Sequence, residues 1–202
     1  MLVPQEEIVR AFRKIAEVRA HVSAAYPHRH PAALNYEQLS QAISSLSKLD
    51  IRICVVIASG SLVAGKIERY RDGKVVILTK HDLSEDLLRF VIVKELCHLI
   101  IDDEPDWTDD PIKVVREMKA EFDLASLNGN GVQNPSRIQM SEHLAIVGAV
   151  SLMYPCERHE KDMQDVFDRK TNISRIALEF KMPVWAIELA FTRGEIFSLF
   201  PC

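Results

Sequence analysis

The segment Glu85–Ile101, which reads EDLLRFVIVKELCHLII, contains the most apolar window of the chain and decides how the rest is organised. Ser84 is placed to cap a helix that begins at Glu85, and Glu85 and Asp86 lie at the positive end of its dipole. The window is interrupted by Arg89, Lys94, Glu95 and His98. These polar positions are too frequent for a membrane span. We therefore predict a buried helix over 85–101.

Three short stretches rich in β-branched residues precede this helix. They cover residues 50–58, 63–70 and 75–79. The second and third stretches flank Arg71-Asp-Gly-Lys74, and an Asp-Gly pair between apolar runs is a strong hairpin signal. The sequence therefore predicts a small three-stranded sheet that is mainly antiparallel.

The remaining segments have helical periodicity. Two helices are predicted before the strands. The first covers residues 4–25. The second is capped by Asn35, whose capping-box partner is Gln38, and ends at about residue 49. Later helices are predicted at 111–127, 141–153, 157–168, 172–180 and 184–192, with a loop over 128–135. The predicted fold class is α+β. We divide the chain into an N-terminal helical extension (1–34), a central domain (35–155) and a helical C-terminal subdomain packed on it (156–202).

Composition limits the class of protein. Hydrophobic residues make up 48% of the chain and charged residues 27%, as in ordinary globular proteins. The 25 Lys+Arg and 29 Asp+Glu give a net charge of −4, so the chain has no overall positive electrostatic field that would attract nucleic acid. We expect no leader segment, because residues 1–7 are too short and polar for one, and no apolar run approaches membrane length. The four cysteines form no CxxC pair. We expect a cytoplasmic protein with reduced thiols and no membrane partner.

Glu95 and His98 are the candidate catalytic and metal-binding residues. They are three positions apart and share one face of the predicted helix. An imidazole there can bind zinc while the carboxylate deprotonates a metal-bound water. The pattern alone has little specificity, because 16 Glu and 7 His in 202 residues give about 0.55 such pairs by chance. On this pattern alone, a packed helix histidine is the simpler interpretation.

The order of the surrounding segments adds specificity. A hairpin leads into a helix with Phe90 before the motif and Leu99-Ile-Ile101 after it. A later helix contains Glu142-His-Leu-Ala145 and closes with Leu152-Met-Tyr-Pro155, and the tail reads ISRIALEFKMPVWAIELA from Ile173. This order resembles the ImmA/IrrE family of zinc metallopeptidases over roughly residues 30–195. The resemblance implies a zincin-like motif helix carrying HExxH and a metallopeptidase-like domain over 35–155.

The resemblance also implies roles for individual residues. Glu95 matches the general base of the family, His98 its second histidine ligand and Glu142 its third ligand. Lys94 stands where the first histidine ligand belongs, and Ile146 and Gly148 replace the usual Asn and Phe of the second helix. His143 follows Glu142 but points about 100° away on a helix, so it is a weaker candidate ligand.

Lys94 decides what the site can do. An ammonium has no lone pair to offer a metal, so only His98 and Glu142 would remain as ligands, and we expect zinc to bind weakly or not at all. Lys94 shares a helix face with His98 and could lie between Glu95 and Glu142 as a substitute for the metal. Alternatively, its side chain reaches solvent over the helix surface.

Three functions are compatible with these residues. The resemblance implies a regulatory protein that acts on a protein partner of the regulator or repressor class, so our first interpretation is a partner-binding pseudopeptidase with an incomplete zinc site. An active zinc endopeptidase with a substitute ligand is the second. A DNA-binding regulator that uses the C-terminal helices is the third. Residues 156–202 carry seven Lys+Arg against eight Asp+Glu, which disfavours nucleic acid as the partner.

Overall fold

The computed structural model describes residues 5–27, 35–57, 64–103 and 137–192. Within these ranges the chain forms an α+β fold of seven helices and one three-stranded sheet. The strands are β1 (Asp50–Val56), β2 (Gly65–Arg69) and β3 (Lys74–Lys80). The helices are α1 (Gln5–Ala25), α2 (Tyr36–Ser47), α3 (Glu85–Ile101), α4 (Arg137–Met153), α5 (Cys156–Phe167), α6 (Ile173–Phe180) and α7 (Val184–Thr192).

Helix ends follow the capping signals of the sequence. At the start of α2, the Gln38 backbone N–H donates to Asn35 Oδ1 at 2.9 Å, and the Asn35 N–H donates to Gln38 Oε1 at 3.1 Å. This is the predicted capping box. Helix α3 has both predicted ends, although the side chain of its N-cap, Ser84, makes no capping hydrogen bond. Helix α4 begins at Arg137, earlier than predicted. The predicted helix 111–127 and loop 128–135 lie outside the described residues.

The sheet is mixed, and this corrects the prediction of a mainly antiparallel sheet. Its strand order is β1-β3-β2. The predicted β2–β3 hairpin is confirmed, with Gly73 of its turn at φ 80°. However, β1 pairs with β3 in parallel, from Asp50 opposite Lys74 to Val56 opposite Lys80. Strands β1 and β2 run antiparallel to each other but leave one position free between them, and β3 fills that position.

Helix α3 lies at the centre of the molecule and contacts α1, α2, α4, β2 and β3. The side chains of Ile92, Val93, Leu96 and Cys97 are completely buried. Strand β3 turns Val75, Ile77 and Thr79 inward, as expected from the alternation of a strand. Because most of α3 is buried, a polar residue at one of its buried positions needs a partner inside the protein.

The three predicted parts of the chain share this core. Phe12 and Ile15 of α1 and Phe180 of α6 belong to the same cluster of buried side chains as α3. Arg19 of α1 also donates to the Glu157 carboxylate of α5 at 2.8 Å. The N-terminal helix is thus packed in the same core as the central domain.

Two further observations concern membrane spans and the cysteines. No helix within the described ranges is both long and apolar enough to cross a membrane. Cys54 and Cys97 are free thiols, whereas Cys156 is disulfide-bonded. The Cys156 disulfide departs from the expectation that all the cysteines are reduced.

Candidate functional site

The packing of α4 against α3 brings the predicted site residues together. Helix α3 presents Lys94, Glu95 and His98, and α4 presents Glu142 beside them. The Glu142 carboxylate lies 3.3 Å from the Nε2 atom of His98. Residues that are more than forty positions apart in the sequence therefore form one cluster between the two helices.

Lys94 bridges the two carboxylates. Its Nζ atom lies 2.9 Å from Glu142 Oε2 and 2.9 Å from Glu95 Oε1. The contact with Glu142 has hydrogen-bond geometry, whereas the contact with Glu95 is a close ion pair without hydrogen-bond alignment. The Lys94 side chain is 17% exposed, so the alternative in which it reaches solvent does not hold.

The surroundings keep Lys94 charged. Burial lowers the pKa of the ammonium, but the neighbouring Glu95 and Glu142 carboxylates raise it by more, to above its ordinary value. Burial raises the pKa of Glu142, but its contacts with His98 and Lys94 lower it by more, to well below the usual range. Lys94 and Glu142 thus form a true ion pair.

His98 is held from both sides of its ring. Its Nδ1 atom lies 2.9 Å from Asp102 Oδ2 and 3.1 Å from Ser141 Oγ. Its Nε2 atom faces Glu142 without hydrogen-bond alignment. Burial of the ring lowers the pKa of His98, but the hydrogen bond to Asp102 and the contact with Glu142 raise it to about 9. At neutral pH both ring nitrogens therefore carry protons.

Three members of the cluster were not predicted: Asp102, Ser141 and Arg69. Ser141 Oγ donates to Asp102 Oδ1 at 2.6 Å, and Arg69 donates to the backbone carbonyl of His98 at 3.0 Å. Asp102 follows His98 by one helical turn, and this spacing is a signal that sequence analysis could have used. Ser141 and Arg69 come from other elements and have no comparable signal.

The cluster contains Ser, His and Asp, but it is not a hydrolytic triad. In a triad the serine and the aspartate bind opposite ring nitrogens of the histidine. Here Ser141 and Asp102 both contact the Nδ1 atom of His98. Ser141 is also only 7% exposed. Its hydroxyl supports the histidine and has no arrangement that would activate it as a nucleophile.

The charges of the cluster are balanced. Three basic residues (Lys94, His98 and Arg69) face three acidic residues (Glu95, Glu142 and Asp102), and these side chains are between 5% and 20% exposed. Buried charges are tolerated when they are paired in this way. The network leaves no net charge that would attract a further ion.

The donor set does not fit a zinc ion. Zinc needs neutral imidazoles or anionic ligands, whereas Lys94 supplies an ammonium. In the part of the chain that the structure describes, no three His, Cys, Asp or Glu side chains are placed to hold a metal ion. His143 is half-buried beside Glu142 and adds no ligand to such a group.

Glu95, the predicted general base, is enclosed as well. Its side chain is 5% exposed and is ion-paired with Lys94. Strand β2 covers it closely, since a Cβ atom at Gly65 would lie 2.9 Å from Glu95 Oε1. A general base must reach the proton that it removes. In this arrangement the carboxylate contacts a cation and a strand backbone.

Sequence comparisons assign no family. No protein-family model matches the chain, and no curated protein matches its sequence. The resemblance to the ImmA/IrrE family accordingly rests on the motif residues and on the order of the elements that carry them.

Proposed function

We propose that this chain is an ImmA/IrrE-like pseudopeptidase: a protein with a metallopeptidase-like fold and an incomplete zinc site, whose role is to bind and regulate a protein partner. One observation carries the proposal. The Lys94 ammonium lies 2.9 Å from both Glu95 and Glu142, between the proposed base and the proposed third ligand.

The chemistry of the cluster supports the loss of hydrolysis. Peptide cleavage by a zincin needs a metal-bound water and a carboxylate that is able to deprotonate it. Glu95 is paired with Lys94, and the Nδ1 atom of His98 is held by Asp102 and Ser141. The burial of the cluster also leaves little access for a peptide substrate.

The packing around the cluster supports a binding role. Helices α3 and α4 and strand β2 form an ordered frame around the cluster although its charged groups are paired with one another. The resemblance implies a partner of the regulator or repressor class. Nucleic acid is a weaker candidate, because α7, the second helix of the α6–α7 pair, contains no Lys or Arg and exposes Val184, Trp185 and Glu188.

The decisive experiment measures metal content and cleavage together. Protein purified without chelator is analysed for zinc, then incubated with unfolded casein in the presence and absence of added zinc. We expect far less than one zinc per chain and no cleavage above the buffer control. One tightly bound zinc per chain, with cleavage abolished by Glu95→Gln, would instead establish an active endopeptidase.

The binding role is tested on the captured partner itself. The chain is immobilised and exposed to soluble protein from the source cells, and the masses of retained regulators are measured before and after prolonged incubation. A pseudopeptidase retains a regulator of unchanged mass. A regulator that becomes shortened contradicts the proposal, and retention of duplex DNA alone favours the DNA-binding alternative.

A further inference from the structure

We propose that the Lys94 ammonium occupies the position of the metal ion. We infer that this single residue prevents zinc from binding, although the other ligands, His98 and Glu142, are in place. The inference rests on the proposed function and goes further, because it names the cause of the missing metal site. It also predicts that one substitution opens the site.

The position of the ammonium is the first argument. Two carboxylates from different helices converge on the Lys94 Nζ atom, each at 2.9 Å. The second oxygen of Glu142 lies 3.3 Å from His98 Nε2. Glu142 thus links Lys94 to His98, and the Lys94 ammonium lies between the carboxylates of α3 and α4.

The support of the histidine is the second argument. A histidine that binds a metal through one nitrogen is usually oriented by a hydrogen bond from the other nitrogen. Asp102 and Ser141 contact Nδ1 of His98 and turn its Nε2 toward Glu142. Arg69 also binds the backbone carbonyl of His98 at 3.0 Å. None of these contacts depends on Lys94.

The helix geometry is the third argument. Lys94 and His98 are four residues apart on α3, so a histidine at position 94 would face the same side of the helix. An imidazole is shorter than a lysine side chain and leaves room for an ion between itself and Glu142. The variant Lys94→His would then supply two imidazoles and one carboxylate, which is a zinc ligand set with an open fourth position.

The test compares four proteins by calorimetric titration with zinc alone and by thermal unfolding: the wild type, Lys94→His, Lys94→His/Glu142→Gln and Lys66→His. Lys66 is an exposed lysine on β2, so the last variant controls for an added histidine. We expect 1:1 binding only for Lys94→His, with a thermal midpoint that rises with zinc concentration. Adding Glu142→Gln should weaken that binding about tenfold or more.

Each outcome decides the matter. If Lys94→His is folded and binds no zinc, the frame is not complete and this inference fails, while an inactive wild type would leave the proposed function standing. If the wild type binds one zinc tightly, both fail. If Lys94→His is unfolded without metal, its circular dichroism is recorded on adding zinc, and its visible spectrum on adding cobalt. Recovery with a tetrahedral cobalt spectrum supports the inference, and no recovery overturns it.

Discussion

His98 donates a hydrogen bond from Nδ1 to Oδ2 of Asp102, which lies 2.9 Å away and four residues later, at the C-cap of α3. Both side chains are less than 10% exposed. Solvent therefore screens this contact weakly, and the Asp102 carboxylate favours the protonated ring. The pair fixes the orientation of the imidazole as well as its charge.

Replacing Asp102 should reduce the proton affinity of His98. In Asp102→Asn the hydrogen bond to a carboxylate is lost, so we expect the pKa of His98 to fall from about 9 toward or below its ordinary value of 6.5. NMR titration of the ring resonances measures this pKa. Asp103→Asn is the matched control, because Asp103 pairs with Arg10 and Lys14 of α1. An unchanged pKa in Asp102→Asn would show that Asp102 does not control the ring.

The raised pKa of His98 predicts a pH dependence of folding stability. A group whose folded pKa lies above its unfolded value stabilises the folded state at low pH and loses this effect as pH rises. The contribution should be complete below about pH 6.5 and lost by about pH 9, and it amounts to roughly 3 kcal/mol at most. Urea unfolding between pH 6 and pH 10 measures it. His98→Gln should have a flatter profile over this window, and an equal slope in both proteins would contradict the assignment.

Neutralising Lys94 should leave two buried carboxylates without their cation. Breaking a buried ion pair from one side costs about 3–5 kcal/mol, so we expect a loss near this range in Lys94→Met. Lys94→Met/Glu142→Gln should recover part of that loss, because one carboxylate is removed with its partner. Chemical denaturation of both variants and of Glu142→Gln gives the coupling energy. Strict additivity would mean that the two side chains do not interact.

Arg89 should stabilise the contact between α3 and α6. This buried guanidinium donates to the backbone carbonyl of Phe180 at 2.6 Å and to that of Lys181 at 3.4 Å, at the C-terminus of α6. Arg89→Met leaves these carbonyls without the charged donor, and we expect a loss of about 2–3 kcal/mol by urea unfolding. Arg175→Met on the exposed side of α6 is the control, with an expected change within about 0.5 kcal/mol. Equal effects at both positions would remove the capping argument.

Gly65 should be required for the close packing of β2 on α3. A Cβ atom there would lie 2.5 Å from Val91 Cγ1 and 2.9 Å from Glu95 Oε1, so Gly65→Ala must displace both side chains or move the strand. We expect a loss of about 1–3 kcal/mol in the free energy of unfolding. Gly65→Ala/Val91→Ala removes the closer contact and should be more stable than the sum of the single changes predicts. A fully additive double variant would show that the contact with Val91 does not limit the packing.

Local signals account for the parts of the fold that were predicted. The Asn35–Gln38 capping box and the Asp-Gly turn before Lys74 each specify backbone geometry within a few residues, and both were found. The parallel pairing of β1 with β3 depends on which strand fills the middle position of the sheet. That choice is made by tertiary packing, and no local pattern encodes it.

The candidate site was also predicted only in part. The order of Lys94, Glu95, His98 and Glu142 placed them on two helices that the structure packs together. Whether Lys94 bridges the carboxylates or reaches solvent depends on how deeply α3 is enclosed, and this is a property of the whole core. Arg69 reaches the cluster from β2, and nothing in its sequence neighbourhood indicated that contact.

The strand order β1-β3-β2 also has a consequence for the time course of chain synthesis. A hairpin such as β2–β3 closes within about 1–10 μs once both strands exist, because its ends are close in sequence. Strand β1 leaves the ribosome first, yet its hydrogen-bonding neighbour ends only at Lys80. Among the described strands, the first to be made therefore has no hydrogen-bonding neighbour until β3 has followed it out of the ribosome.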